Sequence, residues 1–129
     1  MNNEFRHLLS LQSTEQRLSY ALKIIADKYQ PTHCFIAEFT NNNQQATTLH
    51  YLVNGQSADN FTYDLAGSPC QVVQNTTEHC YYPKNIQQLY PKDSALQDLC
   101  VEGYYGISLF SHQTTPSGIL VCLFEQDIS

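Results

Sequence analysis

The first 30 residues carry one apolar stripe with helical spacing. The stripe consists of Leu11, Leu18, Leu22, Ile25 and Tyr29, at steps of seven, four, three and four residues. This period predicts a helix over residues 5–29, which Pro31 ends because proline cannot continue the backbone hydrogen-bond ladder. The helix begins either near residue 5 or at a capping box formed by Ser13 and Gln16.

Two ways of burying this stripe follow from the pattern. The stripe can pack on the domain's own sheet, which is the arrangement that we expect. Alternatively, part of it contacts the same helix of a second subunit. The sequence leaves both arrangements open.

After Pro31 the hydrophobic period changes from 3.6 to 2. Along His33–Thr40 one face carries Phe35, Ala37 and Phe39, and the other carries Cys34 and Ile36. Apolar residues on both faces predict a central strand that is covered on both sides. A polar turn at residues 41–45 and a return strand from Ala46 to Val53 complete a hairpin.

The rest of the chain alternates short strands and short helices. Ser68 and Pro69 are typical of a helix start, and Asp93 or Ser94 is a candidate cap for a later helix. The predicted strands are Phe61–Leu65, His79–Tyr82, Gly103–Phe110 and Gly118–Phe124. Hairpins at both ends with helices between them predict one α+β domain over residues 1–129, with helices packed on an antiparallel sheet.

Charge excludes several classes of partner. The chain is 42% hydrophobic and 14% charged, with 6 Lys and Arg against 12 Asp and Glu, a net charge of −6. Four of the basic residues lie in the first 28 positions, so the rest of the chain has no basic patch for a nucleic acid or an acidic membrane. No run approaches the ~20 apolar residues of a membrane span, and the first residues lack a signal-peptide pattern. We therefore expect a cytoplasmic location.

Five cysteines at wide spacings, without a CxxC motif, are typical of reduced thiols in a core. Cys70 lies at a predicted helix N-terminus, which would favour its thiolate, and His79 beside Cys80 is a candidate metal ligand. However, neighbours on a strand point to opposite faces, so His79 and Cys80 are poorly placed to bind one ion. We expect structural roles for both cysteines and no metal site.

Five short motifs follow one another from Phe61 onward. They are Phe-x-Tyr-x-Leu-x-Gly-Ser-Pro-Cys at 61–70, Cys80-Tyr-Tyr-Pro83, Tyr90-Pro-x-Asp93, Tyr105-Gly106-x-x-Leu109 and Gly118-x-Leu120. Together they resemble GAF domains of bacterial sensor proteins, in the subgroup with Gly-Thr-Pro-Cys and Cys-x-Tyr-Pro motifs. Ser68, Tyr90 and Ser108 depart from the subgroup's Thr, Phe and Pro without disturbing the fold.

The resemblance implies a GAF-like (profilin-like) fold. Its central antiparallel sheet has about five to six strands, with the N-terminal helix (residues 1–30) on one face and short helices and loops on the other. The family's ligand cavity lies between the sheet and this second layer, here residues 66–101. The residues that we expect to bind a ligand are Phe35, Tyr51, Phe61, Tyr63, Cys70, Val73, Cys80, Tyr82, Leu96 and Tyr105.

The resemblance also implies a regulatory role. GAF domains commonly control an attached output domain, such as a diguanylate cyclase or a histidine kinase, through dimers formed by terminal helices. We therefore expect a non-catalytic sensory domain, excised from a longer protein and homodimeric through its N-terminal helix. A scarcity of basic residues and many tyrosines favour a small neutral or amphipathic ligand, whose identity the sequence does not reveal. The alternatives are a dimerisation scaffold without a ligand and a thiol enzyme that reduces free methionine sulfoxide.

Overall fold

The computed structural model describes residues 15–76, 79–109 and 116–129. In chain order the elements are α1 (Glu15–Tyr29), β1 (His33–Thr40), β2 (Gln45–Val53), β3 (Gln56–Ser57), β4 (Thr62–Asp64), α2 (Pro69–Gln74), β5 (Cys80–Tyr82), α3 (Ile86–Leu89), α4 (Ser94–Asp98), β6 (Gly103–Leu109) and β7 (Gly118–Phe124). None of the helices in these ranges has the length and apolar character needed to span a membrane.

The strands form one antiparallel sheet in the order β3-β2-β1-β7-β6-β5, and β4 pairs with the first half of β2. β1 lies between β2 and β7, which confirms the prediction of a central strand. All seven residues of β7 are buried, because helices or loops cover both faces of the sheet at this strand. The α+β class with an antiparallel sheet is therefore confirmed.

Helix α1 covers one face of the sheet. Leu22 and Ile25 are fully buried, and Leu18 and Tyr29 pack against the same hydrophobic cluster. The described part of the apolar stripe is thus buried on the domain's own sheet, as expected. Leu11 and the predicted capping-box residue Ser13 lie outside the described residues.

Short helices and loops cover the opposite face. We call this layer, residues 65–76 and 83–101, the lid. Leu65, Val73, Ile86, Leu96 and Val101 of the lid are buried in one cluster with the sheet. Within the predicted layer 66–101, β5 is the exception, because it pairs with β6 and extends the sheet.

Two helix caps differ in their chemistry. Asp93 caps α4 as predicted, because its carboxylate accepts hydrogen bonds from the backbone N–H groups of Ala95 and Leu96. Ser68 precedes Pro69 at the start of α2, but its hydroxyl donates to the carbonyl of Leu65, 2.7 Å away, and does not cap the helix. The helix start is favoured instead by Pro69 at the first helical position, whose fixed φ suits the helix.

Candidate functional site

A cavity of about 280 Å³ lies between the lid and the sheet. Its walls come from β1, β4, β6 and β7 on the sheet side and from α2, α4 and the loops before them on the lid side. Its hydrophobic lining includes Phe35, Phe61, Tyr63, Leu96, Leu99, Tyr104, Val121 and Leu123. An apolar cavity with a few polar groups at its rim is the usual form of a small-molecule site.

Three aromatic rings form one wall of the cavity. Phe35 makes edge contacts with Phe61, at 5.5 Å between ring centroids, and with Tyr63, at 5.7 Å. Tyr51 packs on Phe61 at 5.0 Å and supports this wall without being part of the lining. Edge-to-face packing is a preferred arrangement of aromatic pairs and stabilises this wall beyond the area that the rings bury.

Cys70 joins the two layers through its sulfur. The Tyr104 hydroxyl of β6 lies 3.0 Å from Cys70 Sγ, and the Tyr63 hydroxyl donates to the same sulfur at 3.4 Å. Burial raises the pKa of Cys70 to about 11, although these two hydrogen bonds act in the opposite direction. The thiol is therefore protonated at neutral pH, and the helix N-terminus does not make it a reactive thiolate.

Three charged residues line the cavity, one from the sheet and two from the lid. Asp64, Lys92 and Asp93 are the charged residues of the lining. Asp93 is half-buried, and this burial raises the pKa of its carboxyl group, although the capping N–H groups of Ala95 and Leu96 lower it. Asp64 is exposed and accepts a hydrogen bond from Gln45 at 2.8 Å.

The structure brings together only part of the predicted site. Phe35, Phe61, Tyr63, Cys70 and Leu96 line the cavity. Four other predicted residues belong to the hydrophobic cluster between the sheet and the lid but do not line the cavity. They are Tyr51, Val73, Cys80 and Tyr82. Their roles in binding stay predictions.

The predicted placement of Tyr105 beneath the lid is wrong. Tyr105 lies on the α1 face of the sheet, where His79 stacks on it at 5.4 Å. The neighbouring Tyr104 takes the position under the lid, because successive side chains of a strand point to opposite faces. Both residues are buried, so the alternation of polar and apolar residues does not identify the face at this point.

Tyr105 instead lines a second cavity, of about 380 Å³, on the α1 face. The residues that line it are Tyr29, His79, Tyr81, Tyr105, Phe124 and Ile128. Cys80 packs on the lid side, so His79 and Cys80 point to opposite faces, as the strand alternation predicts. Within residues 15–76, 79–109 and 116–129, no group of three His, Cys, Asp or Glu residues is placed to hold a metal ion.

Sequence reasoning also missed several other residues of the lining, among them Val121, Leu123 and Asp93. Val121 and Leu123 were predicted to lie in the last strand, but the pattern did not indicate which face of the sheet their side chains would occupy. Asp93 was predicted only as a helix cap, although a capped helix that begins in the layer over a sheet places its cap beside that sheet. The prediction of Asp93 as a helix cap could therefore have indicated that this residue lies beside the cavity.

No protein-family model matches the chain, and no curated protein matches it significantly. Solved structures do match. The GAF domain of A. aeolicus nlh2 in an inactive state has a TM-score of 0.65 at 14% identity, over 98% of this chain and 77% of that chain. Free methionine-R-sulfoxide reductase from Neisseria meningitidis, in complex with its substrate, has a TM-score of 0.71 at 8% identity, over 98% and 72%.

The phycocyanobilin-bound GAF domain of a cyanobacterial phytochrome is a third similar structure. Its TM-score is 0.65 at 10% identity, over 100% of this chain and 83% of that chain. Identities this low establish a common fold and nothing about activity. The chain has the fold of GAF domains, as its motifs led us to expect.

Proposed function

We infer that this GAF-fold domain is a non-catalytic sensory domain that binds a small molecule in the cavity under the lid. The observation that carries this proposal is the cavity itself, whose 280 Å³ is close to the lower end of the roughly 300–1,000 Å³ typical of ligand pockets. Binding there would change the packing of the lid and of the helices that lead to an attached output domain, of the diguanylate cyclase or histidine kinase type.

The solved structures support a ligand at this fold. One is a GAF domain bound to phycocyanobilin, and another is a reductase in complex with its substrate. Another is the GAF domain of a phosphoenolpyruvate-protein phosphotransferase from Acinetobacter. Of the roles found in these structures we favour a sensory one, because the cavity is lined mainly by apolar side chains and its cysteine thiol is protonated at neutral pH.

The state of the cysteines favours binding over catalysis. Cys70 is buried, and its raised pKa keeps the thiol protonated at neutral pH. Cys80 is free, and burial raises its pKa as well. A thiol reductase needs a thiolate that can attack its substrate, so the reductase is the weaker alternative.

Two further parts of the proposal concern context. We place the domain in the cytoplasm and in a homodimer formed by the N-terminal helix. The inner face of α1 is buried on the sheet, so the dimer would use the outer face, where Tyr20 is 67% exposed. Aromatic residues are enriched in protein–protein interfaces, so Tyr20 is the residue through which this part of the proposal is tested.

Native mass spectrometry of the freshly purified chain tests the central proposal. We expect a copurifying small molecule that an Ala95→Trp variant loses, because Ala95 is exposed and lines the cavity, so a large side chain there would fill it. Ala58→Trp is the matched control, because Ala58 is also exposed but lies away from this lining.

The alternative scaffold makes the opposite prediction. A domain whose only role is dimerisation would carry no bound molecule. Its thermal stability would also be unaffected by any compound of a metabolite library. A ligand that both tryptophan variants retain equally would place binding outside the cavity and overturn the proposal.

A further inference from the structure

The charge of the cavity under the lid is negative on balance. Its charged lining residues are the carboxylates of Asp64 and Asp93 and the ammonium group of Lys92. Asp64 and Lys92 are exposed, whereas Asp93 is half-buried, so Asp93 is the charge that acts most strongly inside the cavity.

The Asp93 carboxylate is held in place through only one of its two oxygens. Its Oδ1 accepts from the backbone N–H of Ala95 at 3.1 Å and from that of Leu96 at 3.4 Å. Among the described residues no hydrogen bond to Oδ2 is formed. The cap therefore positions Asp93 through one oxygen and leaves the other for a ligand.

The aromatic wall of the cavity suits an apolar, ring-sized part of a ligand. Phe35, Phe61 and Tyr63 present aromatic surface whose ring faces also attract cations. The burial that raises the pKa of Asp93 penalises an isolated carboxylate, and a cation bound beside it would offset this penalty.

We propose that the ligand of this cavity is an amphipathic molecule with an apolar, ring-sized body and a single ammonium group, which binds the Asp93 carboxylate. The inference rests on the proposed function and narrows its ligand class. An anionic ligand would instead meet two carboxylates with only the exposed Lys92 in compensation.

Three probes of matched shape test this inference on the full chain. Benzylamine, benzyl alcohol and benzoate share one ring and differ in charge. By calorimetry at neutral pH we expect benzylamine to bind about 10-fold more tightly than benzyl alcohol, a factor equal to about 1.4 kcal/mol. We expect benzoate to bind more weakly than either.

The Asp93→Asn variant removes the charge and keeps the helix cap, because asparagine is as good an N-cap as aspartate. The preference for benzylamine over benzyl alcohol should then fall to about 2-fold or less. Asp98→Asn, in the same helix but outside the lining, is the control and should retain the full preference.

The outcomes separate this inference from the proposed function. Equal binding of benzylamine and benzyl alcohol, both blocked by Ala95→Trp, would overturn the ammonium inference and leave the sensory cavity standing. Tightest binding of benzoate would overturn it as well. Absence of benzylamine binding at millimolar concentration would also overturn it, and the native mass spectrum would then decide separately whether the cavity holds a ligand.

Discussion

The hydroxyl oxygen of Tyr104 lies 3.0 Å from the sulfur of Cys70, which is 34 positions earlier in the chain. Tyr104 is 1% exposed in β6, and Cys70 is 5% exposed at the start of α2. The contact joins the sheet to the lid, and both residues line the cavity. It therefore helps to hold α2 against β6.

Removing the Tyr104 hydroxyl should destabilise the domain. We expect Tyr104→Phe to lower the free energy of unfolding by about 1–2 kcal/mol, because the buried thiol loses a hydrogen-bond partner. Urea denaturation measures the change. Tyr81→Phe is the control, since the Tyr81 hydroxyl donates to the Ile128 carbonyl at an exposed site and its loss should cost no more than about 0.5 kcal/mol. Equal losses in the two variants would contradict the role given to Tyr104.

Stability should fall in alkaline solution through Cys70. Burial raises the pKa of this thiol from 9.0 to about 11, so between these values the unfolded chain loses the proton while the folded chain keeps it. The unfolded state then binds fewer protons, and the free energy of unfolding decreases as pH rises from 9 to 11.

Denaturation at a series of pH values checks this dependence. We expect Cys70→Ala to reduce the alkaline decrease by about 2 kcal/mol, the equivalent of somewhat less than two pKa units. Tyr63 and Tyr104, whose pKa values burial also raises, account for a remaining decrease. Cys100→Ala, at an exposed thiol, should leave the decrease unchanged, and a similar effect of the two variants would contradict the assignment.

Thiol labelling tests the non-catalytic interpretation. In the folded protein at neutral pH, iodoacetamide should modify the exposed Cys100 and leave the buried Cys34, Cys70 and Cys122 unmodified, because alkylation needs an accessible thiolate. Peptide mapping by mass spectrometry gives the rate at each site. A Cys70 that reacts as fast as Cys100 would favour the thiol enzyme.

Gly106 provides the space in which the Tyr104 ring lies. A Cβ atom at this position would stand 2.5 Å from the Tyr104 hydroxyl oxygen and 2.8 Å from its Cε1. We expect Gly106→Ala to cost about 1–3 kcal/mol of stability, because the ring must shift in a packed core. In the background of Tyr104→Ala the same change should cost less, since the ring that it would contact is gone. An unchanged cost in that background would show that the penalty has another origin.

Tyr20 should control dimerisation. If the outer face of α1 forms the proposed dimer, Tyr20→Arg should shift the chain toward the monomer in sedimentation velocity, because a charge replaces an aromatic contact. Leu89→Arg alters an exposed hydrophobic residue of the lid and should leave the dimer intact. A wild-type chain that is monomeric at every concentration would contradict the proposed dimer.

Local patterns were sufficient for much of the fold. The limits of β1 and β7 agree with the predicted strands His33–Thr40 and Gly118–Phe124, because uninterrupted apolar runs bounded by turn residues are typical of central strands. The start of α2 at Pro69 and the cap of α4 at Asp93 were also predictable, since proline and aspartate act on their own segment of backbone. The two-residue β3 was missed, because Gln56 and Ser57 carry no hydrophobic pattern.

The sequence by itself determined the class of fold and the periods of its strands, and its resemblance to GAF domains indicated most of the segment that covers the cavity. Only the tertiary structure decided that Tyr104 faces the lid while Tyr105 faces α1, and that Asp93 lines the cavity as well as capping a helix. The physical reason is that a strand buried on both faces has no polar side to mark its orientation. Which of two adjacent tyrosines meets the lid depends on pairing with β7 and on the packing of distant segments, and neither is encoded within β6 alone.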